Sequence, residues 1–492
     1  MMGARRLQVL ALDVGSTGVR ALVVDETGTV AAQAYQEVLP AYPGPGLVEH
    51  DTEATYRAVV AVMARALEQV RIDDVRAVGI ATQRSTAVVW ETGSGLAVHP
   101  AISWQDGRTH VRCAELMAGG MLVLPMVAAS KIEWLLERVD PDRARVRAGE
   151  LRCGTLEAWL AARLSEGRIF ATDHSNGSAS GLYDLRVPRW DAPTLEALRI
   201  PASALPELVA SSGVLGTIGG TSGLPELPLA ALVGDQQAAM MGQLRTEPGE
   251  AKITYGTAAM LNLNVGTEPL WPSHGGYPLV LWCRDGRIDY CLEGTAVTAG
   301  AAVTWLRDGL GVIDTPAHSE QLAAEVDDTG GVWAVPAFQG LGTPYMESEA
   351  RAVIGGLSRA STRAHVVRAV LEGIAWRCRE VHDALRADSP GPAPSVLRVD
   401  GGAASNSVLL QMQADALGVP IERPAMLDAA ALGAAYLAGL AIGMWSDVTE
   451  LRGIWKAERV FEPRVDAATR EARFASWQRH VAATRADRAA DA

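Results

Sequence analysis

The sequence predicts an α/β protein built from two similar halves. Three observations carry that expectation. A short turn rich in glycine and hydroxyls, V-G-S-T-G at 14–18, separates two apolar β-type runs, and Y-G-T at 255–257 does the same further on. An apolar run at 230–233 leads through Gly234 into Asp235 and a segment with helical spacing (Ala238, Met240, Met241, Leu244). A strand at 397–399 leads into Asp400-Gly401-Gly402 and a helix at 407–417. Hairpin, strand–Asp–helix, hairpin, strand–D-G-G–helix is a duplicated plan. Two α/β halves facing one another would gather all four elements at a nucleotide cleft.

Composition narrows the function classes. The chain has 492 residues, 21% of them charged, as in ordinary globular proteins. A formal charge of −13 argues against nucleic acid or an anionic membrane surface as partner, since both need a basic face. Five scattered cysteines, none in C-x-x-C spacing, read as reduced core thiols of a cytoplasmic protein rather than a disulfide frame or zinc site. Arg5 and Arg6 precede an apolar run that Asp13 interrupts too early for a signal peptide. The longest uncharged stretch, 429–445, falls short of the ~20 apolar residues a bilayer needs and reads as a packed internal helix.

In order, residues 7–13, 19–25 and 29–33 read as an antiparallel meander. In its first turn Gly15 permits close backbone approach, while Ser16 and Thr17 add donors. Asp13 just before it suits a divalent metal accompanying phosphate. Residues 52–70 form an amphipathic helix through Tyr56, Val59, Val60, Met63 and Leu67. Strands at 76–82 and 87–90 flank Gln83-Arg84-Ser85-Thr86. Trp104-Gln105-Asp106 puts an aromatic beside hydrogen-bonding groups, which suits a polyol. Helices follow at 130–138 and 155–164, then a polar loop at 172–176 in which His174 is structural, then an irregular Pro-rich flap at 188–223. Asp235 has a bland explanation as a helix cap. The anion-binding turn that follows it favours another: a base for a hydroxyl beside donors for a phosphate. In the second half 294–306 reads as a helix opening on small residues, 332–338 as a strand and 362–385 as a long amphipathic helix. The glycines of D-G-G would clear space for a ligand at the following helix N-terminus.

The segments L-A-L-D-V-G-S-T-G-V-R, G-D-Q-Q-A-A-M-M-G-Q, T-Y-G-T, P-A-F-Q-G-L-G-T-P-Y and V-D-G-G-A-A-S-N resemble the FGGY carbohydrate kinases, the glycerol kinase branch most closely. Gly356, Leu357 and His365 also fit a family signature, and the resemblance runs over 9–445. It implies two ribonuclease H-like domains of the actin and hexokinase superfamily, 1–246 and 247–492, closing on ATP with Mg²⁺ and a polyol or sugar. It implies Asp235 as general base, with Asp13 and Asp235 near the metal. Gly15, Ser16, Thr17 and Arg20 would meet phosphates, as would Gly256 and Thr257. Gly300, Gly402 and Asn406 would line the adenosine pocket, where Thr304 replaces the glutamine of that branch.

Arg84, Ser85, Trp104, Met126, Asp235, Gln236 and Met260 fall on the positions that hold the acceptor. Ser85 stands where that branch has an acid, and Met126 and Met260 stand where it has aromatic rings. Met adapts to irregular space. The reading is therefore a kinase that moves the γ-phosphoryl of ATP to a hydroxyl of a small polyol or sugar, through an altered acceptor pocket. A longer polyol such as erythritol, or a ketose such as xylulose, is the alternative acceptor, and a homodimer is left open. An actin- or chaperone-like ATPase switch would share the fold. G-D-Q-Q fits a substrate base better than a water-positioning site. A degenerate sugar sensor is disfavoured by the intact Asp235 and both phosphate turns.

Overall fold

Apolar runs that do not alternate belong in sheets covered on both faces. In a computed structural model, which describes residues 6–220 and 222–486, those runs become the centres of two sheets. The chain divides into two compact units. One holds the chain up to Leu244 with Leu279–Asp289 and Ala430–Ile454, and the other holds Arg245–Pro278, Tyr290–Ala429 and the chain from Trp455.

In the first unit Gln8–Val14 pairs antiparallel with Gly18–Asp25, which pairs antiparallel with Val30–Glu37. On its other side Gln8–Val14 runs parallel to Val75–Thr82, and that strand runs parallel to Leu227–Gly234. Ser212–Ile218 closes the edge, antiparallel and with a register shift. Leu10, Leu12, Ile80 and Leu232 are fully buried in this sheet. Each such side chain contributes roughly 1.5–3 kcal/mol through burial. The helix Thr52–Leu67 begins at Asp51, whose side chain accepts from the Ala54 N–H at 2.9 Å, and buries Val59, Val62, Met63 and Leu67. Val14 and Gly234 both pair with Thr82, so three neighbouring parallel strands end level. Ligands of such sheets bind beyond those ends.

The second unit repeats the plan. Ala251–Tyr255 pairs antiparallel with Ala259–Gly266, which pairs antiparallel with Arg287–Ala296. Leu397–Asp400 runs parallel to the first of these, and Ile421–Pro424 runs parallel to Leu397–Asp400. In both sheets three antiparallel strands lie beside two parallel strands from later in the chain, with the same directions. The duplication expected from the motifs is thus a duplication of topology.

Three expected segments differ. Residues 172–176 are no loop: Ala171–Asp173 is a strand and His174–Ala179 a helix capped by Asp173. Thr172, Asp173, Ser175 and Asn176 are buried polar side chains held by hydrogen bonds, so they give no apolar periodicity. Within 188–223 lie the helix Ala192–Ala197 and the strands Glu207–Val209 and Ser212–Ile218. Residues 294–296 complete the strand Arg287–Ala296, and the helix begins only at Gly300, running to Asp308. The small residues there are compatible with either element. The helix Ala429–Ala441 is packed as expected: no side chain fits at Gly433 against the Ala238 carbonyl. All five cysteines are free and buried. Among the described residues no helix is long and apolar enough to cross a membrane.

Candidate active site

In the first unit the three level strand ends carry Asp13 with the 15–18 turn, Gln83-Arg84-Ser85, and Asp235. Asp235 is the first residue of the helix Asp235–Gly242. Gly234 holds the cap position, and no side chain caps the helix. The carboxylate therefore serves elsewhere: its Oδ1 accepts from the Gln236 N–H at 2.8 Å and lies 3.3 Å from Arg84 Nε. Its side chain is 27% exposed, that of Arg84 11%. A half-buried carboxylate held by a guanidinium can still present an oxygen to a substrate hydroxyl.

The strand and helix found at 171–179 support this end of the strand that leads to Asp235. Asp173 accepts from the backbone N–H of Ser175 and Asn176, both at 3.0 Å, and from Ser211 Oγ at 2.6 Å. Ser175 Oγ in turn accepts the Gly234 N–H at 2.9 Å. Nothing in the sequence links residues so far apart, so sequence reasoning misses this support.

The 15–18 turn closes with Gly15 N–H donating to the Gly18 carbonyl at 3.0 Å. A Cβ at Gly15 would meet no protein atom nearer than 3.6 Å, so the fold does not require glycine there. Gly18 is different: a side chain would strike the Tyr35 ring, over which the Arg20 guanidinium also lies, 5.2 Å from the centroid. Thr17 is exposed, and Ser16, Arg20 and Asp13 are half-buried. Trp104 Nε1 donates to Ser16 Oγ at 3.1 Å, which brings the expected acceptor wall against the expected phosphate turn.

Ser85 is buried with a left-handed backbone (φ 61°), and its hydroxyl donates to the Ala179 carbonyl at 2.7 Å. Its lone pairs remain for a ligand, its proton does not. The Met126 carbonyl accepts from Lys131 Nζ at 3.2 Å, and burial lowers that ammonium's pKa to about 7. Beneath Thr82, the fully buried Glu157 accepts from Thr155 and Thr172 hydroxyls at 2.5 and 2.6 Å. Burial pushes its carboxyl up to about 7, against those hydrogen bonds.

In the second unit Gly256 and Thr257 are exposed at the turn between Ala251–Tyr255 and Ala259–Gly266. Their carbonyls accept the N–H groups of Gly300 (3.0 Å), Ala299 (2.9 Å) and Ala301 (3.1 Å), so the turn rests on the start of the helix Gly300–Asp308. A Cβ at Gly300 would come within 2.6 Å of the Gly256 carbonyl. Gly401 must adopt φ 85°, against the Tyr255 carbonyl. Around Gly256 and Gly402 a Cβ would meet nothing closer than 3.6 Å. Gly256 and Gly402 thus leave open space where backbone could touch a ligand, as Gly15 does in the first unit, which suits each turn to phosphate. Asn406 is buried and internally committed: it caps the helix Ser407–Leu417 through Leu409 N–H and donates to Ser319 Oγ at 3.2 Å. Thr304 is exposed, and Met260 Sδ accepts from Thr295 Oγ1 at 3.3 Å.

Two sheets of one topology, each with a glycine turn and the first with an acid at a strand end, define a duplicated α/β class of protein. The model of the FGGY family of carbohydrate kinases matches the chain in both parts, its N-terminal domain over residues 8–242 and its C-terminal domain over 251–442. The chain belongs to the FGGY family of carbohydrate kinases, phosphotransferases with an alcohol group as acceptor and ATP as the donor their class implies. It is 44% identical to a glycerol kinase of Dechloromonas aromatica over 96% of both chains. It is 42% identical to one of Petrotoga mobilis over 96% of this chain and 97% of the other. The structure of a Plasmodium falciparum glycerol kinase with ADP superposes at TM-score 0.90 with 28% identity, covering 97% of this chain and 98% of that one. A xylulose kinase of Brucella ovis superposes at 0.84 with 26% identity, covering 98% and 99%.

Proposed function

We propose that this enzyme transfers the γ-phosphoryl group of ATP to a hydroxyl of a small polyol, with Asp235 as the general base. The observation that carries the reading is the Arg84–Asp235 pair at level strand ends. Asp235 takes the proton of the attacking hydroxyl, and Arg84 orients its carboxylate. Gln236, Trp104, Ser85, Met126 and Met260 shape the acceptor site, Trp104 offering a ring to the C–H face. Backbone N–H groups of Ser16 and Thr17, with Arg20 and the open backbone of Gly15, meet phosphate oxygens. Gly256 and Thr257 do likewise in the second unit, and Gly300, Thr304 and Gly402 serve the adenosine, with Asn406 holding the start of the helix that follows Gly402. Asp13 and Asp235 fit a Mg²⁺, which takes one or two carboxylates along with water and phosphates and would neutralise charge on the phosphoryl oxygens. The domains we assign are 1–246 for acceptor and base and 247–492 for the nucleoside. Five buried free thiols support a cytoplasmic setting.

One observation favours an acceptor longer than glycerol. Ser85 can only accept from a ligand, and the two methionines leave adaptable rather than rigid walls. Steady-state kinetics of the purified protein with ATP, across polyols and ketoses of three to seven carbons, tests both readings. The expected result is a higher kcat/KM for an acceptor of four or more carbons than for glycerol. A kcat/KM for glycerol above every longer acceptor overturns the longer-acceptor reading, and no turnover with any member overturns the kinase reading.

A further inference from the structure

We infer that Gln83 is a positioning residue that locks the phosphate turn to the acceptor wall, so that each site is formed only when the other is. The inference rests on the assignment of the 15–18 turn to phosphate and of Trp104 to the acceptor. Gln83 follows the strand Val75–Thr82 and is 2% exposed. Its backbone N–H donates to the Val14 carbonyl at 2.8 Å. Its side-chain amide reaches three groups: Oε1 accepts from Ser16 Oγ at 3.0 Å, and Nε2 donates to the Gly15 carbonyl at 3.3 Å and faces His50 Nε2 at 3.4 Å.

Counting protons leaves a single arrangement. The Gly15 carbonyl can only accept, which turns the amide nitrogen toward it and the oxygen toward Ser16. The Trp104 indole can only donate, so Ser16 Oγ accepts from it and sends its one proton to Gln83. His50 must then accept at Nε2 and keep its proton on Nδ1, and burial, by lowering its pKa to about 4, keeps it neutral. The relay Trp104–Ser16–Gln83–Gly15 is fully satisfied with no donor to spare. The Ser16 hydroxyl is therefore a link in the relay, and the turn offers a phosphate its backbone N–H groups. An acceptor pressing on the Trp104 ring bears through Ser16 and Gln83 on Gly15, although Gln83 touches neither substrate.

A double-mutant cycle on Gln83→Met, an apolar residue of similar length, and Ser16→Ala tests this, with kcat and KM measured for ATP and for the best acceptor and folding checked by circular dichroism. Each single substitution is expected to lower kcat/KM for both substrates by roughly 3- to 10-fold, the range a lost neutral hydrogen bond gives. The double variant should be no worse than the poorer single, because both remove the same link. Costs that multiply in the double variant overturn the coupling while leaving the site assignment intact. Two singles with wild-type kinetics for ATP and for the acceptor overturn the inference, while the assignment of the turn to phosphate, which rests on its backbone, stands. Should Gln83→Met not fold, the cycle of Trp104→Phe, which keeps an aromatic face and removes the N–H, with Ser16→Ala decides by the same outcomes.

Discussion

Arg84 Nε lies 3.3 Å from Asp235 Oδ1, and the Arg84 stem passes directly over Gly234. A Cβ at Gly234 would come within 2.8 Å of Arg84 Cγ and Cδ and of Gln237 Oε1. The backbone there is extended (φ −69°, ψ 146°), so the main chain tolerates alanine, and the nearest atoms its Cβ meets belong to the Arg84 and Gln237 side chains.

Gly234→Ala should therefore displace Arg84 from Asp235 without unfolding the protein. Misplacement of a positioning group by about 1 Å can reduce rate by ~10²-fold, and a loss between tenfold and that figure is expected in kcat/KM for the acceptor. The KM for ATP should hold. Wild-type acceptor kinetics in a folded variant would remove Arg84 from the site.

Gly256→Val separates ligand approach from fold. A Cβ there meets no protein atom closer than 3.6 Å and the position is exposed, so the melting temperature should stay near wild type. A branched side chain where backbone must touch phosphate should weaken ATP binding by at least about tenfold. Calorimetry showing unchanged ATP affinity would take this turn out of the nucleotide site.

Glu157 gives a pH signature. Burial raises its carboxyl from 4.5 to about 7, so the fold favours the protonated form and loses stability as pH rises between those values. The amide introduced by Glu157→Gln is neutral throughout and keeps an oxygen for Thr155 and Thr172. The melting temperature of Glu157→Gln minus that of wild type should grow as pH rises from about 4.5 to 7 and level off above. A difference constant across that window would mean that Glu157 is ionised in the fold.

Much of this was legible because apolar runs and glycine turns are local signals. The meander, the strand before Asp235 and the helix Ser407–Leu417 follow from residues within a few positions of one another. Asp173, Ser175 and Gln83 were illegible as supports for a different reason. Their partners lie far away in the chain: Ser175 holds Gly234, and Gln83 holds Ser16 from 67 residues away. A buried polar network leaves no periodicity in sequence, since its members are chosen for hydrogen-bond reach rather than for a face. Ser85 shows the same limit: the sequence places it beside Arg84, and only the fold reveals the bond of its hydroxyl to Ala179.

The central claim is that Asp235 accepts the proton of the attacking hydroxyl. Asp235→Asn keeps the shape and the oxygen that faces Arg84 and Gln236 N–H, and removes the base. General-base loss typically costs ~10²–10⁴ in rate, and kcat should fall by that order while ATP affinity stays within about twofold. A folded Asp235→Asn enzyme that retained more than about half of the wild-type kcat, measured at saturating ATP and acceptor, would contradict the account.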